Sequence, residues 1–323
     1  MNLYIDIEHF ESLALSASHP QFLNCLQMLR NDCDMKLTFS KEKLIHIDKK
    51  KSREAVKMFI TRFQTGKKNA PVAENEPLPT LTGSASDYEH LTSLYFVDSP
   101  DVKKGLINPQ AGDEIKALTS LFVDERYIPT KQYFTPDFTD WSVVEKDSSI
   151  CTDIIIVDQF LFAQSDIHYQ ENAYNLINSL CKKSVGADLN IVIFTRRQYK
   201  DEQKNSCVIP DATITRNIKG QVAAIIGVEP NVTLVYISTV EKRHDRKIFT
   251  NYKTFNSGDT FTYFKNNSFN SDGEDFYSNS HVDRSNCRNT ERSIQILQEI
   301  VKNVANGVYS IIGDKKSNFL QFP

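Results

Sequence analysis

Three short, almost unbroken apolar runs constrain this chain more than any other feature. Asp153 opens the run DIIIV, Leu189 to Thr195 reads LNIVIFT, and Val232 onward reads VTLVYIST. Apolar runs of this length without polar alternation are strands covered on both faces. Helical spacing separates them, from about Tyr169 to Lys182 and again from Thr213 to Ile226, where Ile214, Ile218, Val222 and Ile225 recur on one side. Strands and helices in this alternation predict an α/β fold, a sheet with helices packed on its faces.

The first part of the chain repeats the pattern less clearly. Leu3, Ile5 and Ile7 alternate over an opening strand, and Phe22, Leu23, Leu26 and Leu29 follow at helical spacing. Met35 to Phe39 reads as a strand and Glu54 to Phe63 as an amphipathic helix. Residues 66–86, with three prolines and two glycines, read as a linker. Leu91 to Val97 is strand-like, and Glu114 to Val123 is helical. An aromatic and Pro-rich loop then runs from Tyr127 to Trp141, with the single Trp placed to pack a junction. The division that follows is an N-terminal α/β domain of unknown type over 1–145 and a second domain over 146–323. In the latter, an Asn/Ser-rich stretch from Asn266 to Asn289 reads as a long loop. A helix from Glu291 to Ala305 and a strand from Val308 to Ile312 close the chain.

Composition excludes several classes. The 323 residues are 40% hydrophobic, enough for a core, and the formal charge of −3 argues against a general polyanion-coating protein while leaving room for a local basic site. No apolar run approaches the roughly 20 residues of a membrane helix. The start MNLYIDIEHF has no basic segment ahead of an apolar one, so it does not read as a signal peptide. Six cysteines occur without a C-x-x-C pair, which predicts reduced thiols in a cytoplasmic protein rather than a disulfide scaffold or zinc site. Phosphate-loop, nucleophile-elbow, zincin and dinucleotide-binding motifs do not occur.

The chemistry-bearing stretch is His244-Asp245-Arg246-Lys247-Ile248-Phe249-Thr250-Asn251, with Gly258 a short way beyond. On an extended strand, residues i and i+2 share a face, so His244 and Arg246 project together. An imidazole there suits nucleophilic attack or proton transfer, and a guanidinium beside it suits a phosphate. Lys242, Arg243 and Lys247 add charge. The same residues also read as a surface histidine in a charged turn.

This stretch resembles the signature of the phospholipase D-like superfamily, His-x-Lys followed after four further residues by Asp, with a glycine turn beyond. Here Arg246 stands at the Lys position, Asn251 at the Asp position and Gly258 at the turn. The resemblance covers about residues 150–312 and implies a mixed sheet flanked by helices. It also implies a phosphodiesterase that needs no metal or other cofactor: His244 the nucleophile or general acid, Arg246 the phosphate clamp and Asn251 the orienter. Lys247, Gly258 and Arg196 would complete phosphate binding. The family pairs two motifs; His281-Val282-Asp283-Arg284 has the wrong spacing for a second, so a homodimer is implied, acting as a nuclease on nucleic acid. The alternative is an inactive module that holds a phosphate-bearing ligand and meets a protein partner through its N-terminal domain. Asp6, Glu8, Asp98 and Asp124 follow apolar runs and read as strand-end caps or, less economically, as metal ligands; Asp158 reads as a cap or a ligand-site residue.

Overall fold

A computed structural model describes residues 1–45, 50–65, 73–82, 87–122, 130–162, 169–237, 246–270, 275–303 and 310–323. The chain begins with strand β1 (Asn2–Ile5) and helix α1 (Ile7–Leu15), joined by Asp6, whose carboxylate caps the helix by accepting the His9 amide at 2.9 Å. Helix α2 (Phe22–Asp32) buries Phe22, Cys25, Leu26, Met28 and Leu29 but leaves Leu23 exposed, so its inner face is rotated from the one the leucine spacing suggested. Strand β2 (Asp34–Leu37), helices α3 (Glu42–Ile45), α4 (Lys50–Gln64) and α5 (Tyr88–Leu91), strand β3 (Leu94–Phe96) and helix α6 (Glu114–Thr119) follow. In the small sheet β1 lies between β2 and β3 and is parallel to both. Helices α1 and α6 are tied by a buried pair: His9 Nδ1 donates to Glu114 at 2.8 Å, and Ser12 donates to the other carboxylate oxygen.

The described part of the expected linker is not free. Leu37 donates its amide to Ala73 and Glu76 returns a bond to Leu37, so this segment covers the edge of β2. An edge strand has unpaired backbone groups, and a Pro-rich extended segment can pair with them without forming a full strand.

Strand β4 (Thr130–Gln132), helix α7 (Ser142–Asp147), strand β5 (Asp153–Val157), helix α8 (Asn175–Cys181), strand β6 (Asn190–Thr195), helix α9 (Asp211–Ile226) and strand β7 (Asn231–Tyr236) come next. The chain continues through β8 (Arg246–Phe249), β9 (Lys253–Ser257), β10 (Phe264–Lys265), β11 (Ser268–Phe269), β12 (Phe276–Ser280), helix α10 (Arg284–Asn303) and β13 (Ser310–Gly313). Among the described residues, eight of these strands form a mixed sheet in the order β13-β7-β6-β5-β8-β9-β12-β4, with β5, β6 and β7 parallel. The α/β class with a large mixed sheet between helices is therefore present.

Alternation along the strands assigns the two faces. Ile154, Ile156, Ile191, Ile193, Val232 and Leu234 pack with α8 and α9. Ile155, Val157, Val192, Phe194 and Val235 pack with α10 and with Phe319 and Leu320 of the C-terminal segment. Burial on both sides is why these strands read as continuous apolar runs.

Two expectations shift. Residues 130–141 lie before the expected domain boundary, yet β4 pairs with β12, and Tyr133, Phe138 and Trp141 belong to the core of the large sheet. The aromatics there are core residues of the large sheet. Second, the stretch expected as one long loop contains β12, and α10 starts at Arg284 rather than Glu291. Phe276, Ser278 and Ser280 are the inward positions of β12, and inward serines hide the alternation from a hydrophobicity reading.

The two units meet through buried polar contacts. Tyr252 accepts the Ile107 amide at 2.8 Å and donates to the Ser93 carbonyl, and its ring joins the N-terminal core. Lys253 is 1% exposed and donates to the carbonyls of Phe122 and Asp147. Among the described residues no helix is long and apolar enough to cross a membrane. The six cysteines are unpaired, and Cys25, Cys33, Cys151 and Cys181 are buried.

Candidate functional site

The large sheet changes direction beside β5. From β5 the chain winds outward through β6 and β7, then returns to place β8 against the other side of β5, antiparallel to it. Because the two strands are antiparallel, the end of β5 meets the start of β8. The register brings Lys247 opposite Val157 and Arg246 opposite Ser257, so the start of β8 lies at this edge with the ends of β5 and β9.

Asp158 organises this end of the sheet. It follows β5 directly and is 1% exposed. One carboxylate oxygen accepts the Phe160 amide at 2.9 Å; the other accepts the Thr260 hydroxyl at 2.6 Å and the Phe261 amide at 2.8 Å. It thereby fixes the loop after β9 to the end of β5, across the intervening β8. Burial pushes its pKa up, opposed by these three donors and by the charge of Arg246. The cap reading of Asp158 thus has direct geometric support.

Arg246 and Lys247 are half-buried, and Arg246 donates from Nη1 to the Gly258 carbonyl at 2.9 Å. Gly258 is exposed and is held in turn by its amide bond to Asp275, 3.0 Å. Arg246 precedes Ile248 by two positions on the α8/α9 side, whereas Lys247 shares parity with Phe249 on the α10 side. The two cations therefore leave the strand in opposite directions. Arg196 follows β6 at the same edge, its amide donating to the Gln159 carbonyl at 3.2 Å. Its neighbour Arg197 is committed to Asp211 at 2.7 Å and lies over the Tyr236 ring, 4.4 Å from its centroid.

His244, the expected nucleophile, lies outside the described residues, as do Lys242, Arg243 and Asp124. The structure does not bring Asn251 to the site. It follows β8 at the far end, and the strand between it and Arg246 spans roughly 10 Å. Asn251 is fully buried: Oδ1 accepts the Thr152 amide at 2.8 Å and Nδ2 donates to the Leu91 carbonyl at 2.8 Å. It is a cross-link between the two units, not an orienter beside Arg246. Motif spacing misplaces it because β8 runs straight through the sheet, carrying position 251 to the opposite edge.

His281 is also spent in the core. Nδ1 donates to the Asn251 carbonyl at 2.9 Å, leaving Nε2 to accept from Thr254 at 2.8 Å. Burial pulls its pKa down to about 4, with the Asn251 carbonyl opposing. It is neutral and inaccessible to a ligand. The carboxylate of Asp6, after β1, is occupied too, since it accepts the backbone amides of His9 and Asp98, the latter at 2.8 Å. Among the described residues no group of three His, Cys, Asp or Glu side chains is placed to hold a metal.

What the sequence did not reveal is the aromatic rim. Phe160, in the turn after β5, and Phe269, the last residue of β11, are the two most exposed phenylalanines among the described residues, 36% and 44% accessible. Their signal was present only as two aromatics among many; their exposure singles them out. No family model matches the chain, and no curated protein matches it.

Proposed function

We propose that the edge formed by β5, β8 and β9 binds a phosphodiester-bearing ligand. The observation that carries this reading is the seating of Arg246 beside the buried Asp158, with Gly258 fixed by the same loop. A guanidinium held in place by the backbone loses less freedom on meeting a phosphate, and its planar fork suits two phosphate oxygens. Lys247 and Arg196 supply further positive charge at the same strand ends. The phospholipase D-like resemblance supports the reading through His244, Arg246 and Gly258 and loses Asn251 as a support.

Hydrolysis is the stronger form of this proposal. It assigns His244 to attack or protonation and draws a second imidazole from a partner copy in a homodimer, because His281 is buried. In the binding-only form, the N-terminal unit, with Leu15, Leu23 and Met58 exposed, is the part left for a protein partner.

The test uses the full chain with a labelled 20-nucleotide oligomer and pyrophosphate as competitor, with mass in solution measured on the same sample. Binding should weaken about tenfold in Arg246→Ala, the scale of one charge-assisted contact. Cleavage in EDTA that His244→Ala abolishes would establish the hydrolytic form, and intact oligomer with binding retained would establish the module. A chain for which neither probe binds is not a phosphate-binding protein.

A further inference from the structure

Resting on the phosphate-binding reading, we infer that the ligand at this edge is single-stranded nucleic acid, whose bases stack on Phe160 and Phe269 while its phosphates meet Arg246. The two rings belong to the rim of one apolar layer. Leu161 and Phe162 follow Phe160 into the core on the α8/α9 side, and Phe269 packs against Phe134 and Phe138 of the same core, with ring centroids 5.5 and 5.8 Å away. Arg246 leaves β8 on that side as well. Phe160 follows β5 and Phe269 belongs to the β10–β11 hairpin in the β9–β12 connection, and β8 with Arg246 lies between β5 and β9. Adjacent strands are about 4.8 Å apart, which places the ends of β5 and β9 roughly 10 Å from each other.

Phe269 is also held rather than loose. Its hairpin turns through Asn266 and Asn267, both at positive φ, a turn that matches the twist of a two-residue hairpin. Glu171 accepts both of their amides, at 3.0 and 3.2 Å. A buried Asn172 clamps the base of the hairpin, donating to the Phe264 carbonyl and accepting the Phe264 amide. This many ties on a short hairpin keep one ring seated on the core with its remaining surface in water. Such a ring is organised in advance for stacking. Lys265 is exposed on the same hairpin. Asp259 and Asp275 are exposed nearby, accepting the Thr260 amide and the Gln132 amide group respectively.

A guanidinium with exposed rings on the same face suits unpaired bases, since a duplex keeps its base faces stacked on one another. A bilayer would favour apolar groups gathered at one protruding tip, whereas here they come from two separate connections.

The experiment measures binding of the full chain to labelled oligothymidylate and oligouridylate of 20 nucleotides, a 20-base-pair duplex and phosphatidylserine vesicles, over a salt series. Phe269→Leu and Phe160→Leu keep apolar packing but remove the stacking face. Each should weaken single-strand binding by roughly five- to a hundredfold, as loss of one base–aromatic stack does. The salt slope should stay unchanged in these variants, and Phe269→Trp should bind as the wild type does. Arg246→Ala should instead flatten the slope by about 0.7, one phosphate contact. If both leucine variants bind oligomers like the wild type while Arg246→Ala is weaker, the stacking inference is refuted and the phosphate site stands. Preference for the duplex, or a Phe269 effect confined to vesicles, also overturns it. No binding of any oligomer, with pyrophosphate inert as well, removes the phosphate reading itself.

Discussion

Replacing Lys253 by Met gives a prediction whose sign and size follow from burial. The ammonium sits 1% exposed at the start of β9, donating to two backbone carbonyls, those of Phe122 and Asp147. Burial pulls its pKa from 10.5 down to about 7; Asp147 opposes the fall, and Lys183 and Lys131 add to it. Between those two values the unfolded chain holds a proton that the folded chain releases, so stability rises with pH across that window. Each pH unit is worth up to about 1.4 kcal/mol, and because the folded group is half-titrated at pH 7 the gain from pH 7 to pH 9 comes to about 2 kcal/mol. Met fills the volume without a titrating group. It also strands two carbonyls, a cost that does not depend on pH in this range. The measurement is urea unfolding of both proteins at pH 7, 8 and 9, followed by circular dichroism. The stability of the wild type minus that of Lys253→Met should grow by about 2 kcal/mol over the series. A difference that stays flat across the three pH values would refute a desolvated lysine at this position.

Two further outcomes concern residues that the sequence motif and its failed second copy had singled out. His281 has its pKa lowered to about 4 in the fold, so the unfolded chain binds its proton first; relative to His281→Leu, the wild type should lose about 3 kcal/mol as pH falls from 6.5 to 4, read by thermal or urea unfolding. Asn251→Ala should cost about 2–4 kcal/mol of stability by orphaning the Thr152 amide and Leu91 carbonyl, while the folded fraction binds oligomer as before. Asn251→Asp, which restores the residue of the resembled motif, should destabilise further by burying a charge and should yield no gain in cleavage. A gain in cleavage would return position 251 to the site.

How much of this was legible beforehand depended on which residues carried the signal. The α/β class was plain because β5, β6 and β7 are covered on both faces and had to be apolar throughout. Strand β12 was not, because its inward positions include Ser278 and Ser280, whose fit depends on small volume and on partners such as the Tyr133 hydroxyl, 3.0 Å from Ser278. The role of residues 130–141 was hidden for a related reason. Tyr133, Phe138 and Trp141 have no strand-like spacing, and only the aromatic cluster they enter with Tyr263 and Phe276 shows that they complete the large core.

The site divides in the same way. Arg246 and Gly258 are twelve positions apart in sequence and meet because β8 and β9 form a hairpin. Asn251 stands in the turn of that hairpin, so the same geometry that joins Arg246 to Gly258 must send Asn251 to the other edge. A linear pattern cannot place both ends of one hairpin at one site. The opening left beside Arg246 is filled by Asp158, which reaches Thr260 and Phe261 from a different strand, more than a hundred positions away in the chain. That carboxylate, not Asn251, governs whether the loop bearing Gly258 holds its shape. Asp158→Asn would retain the size of the side chain but offer only one acceptor oxygen where two now serve three donors. It should therefore loosen oligomer binding and the Phe261 amide's hydrogen-exchange protection together. Loss of one without the other would separate the scaffold of the site from its ligand.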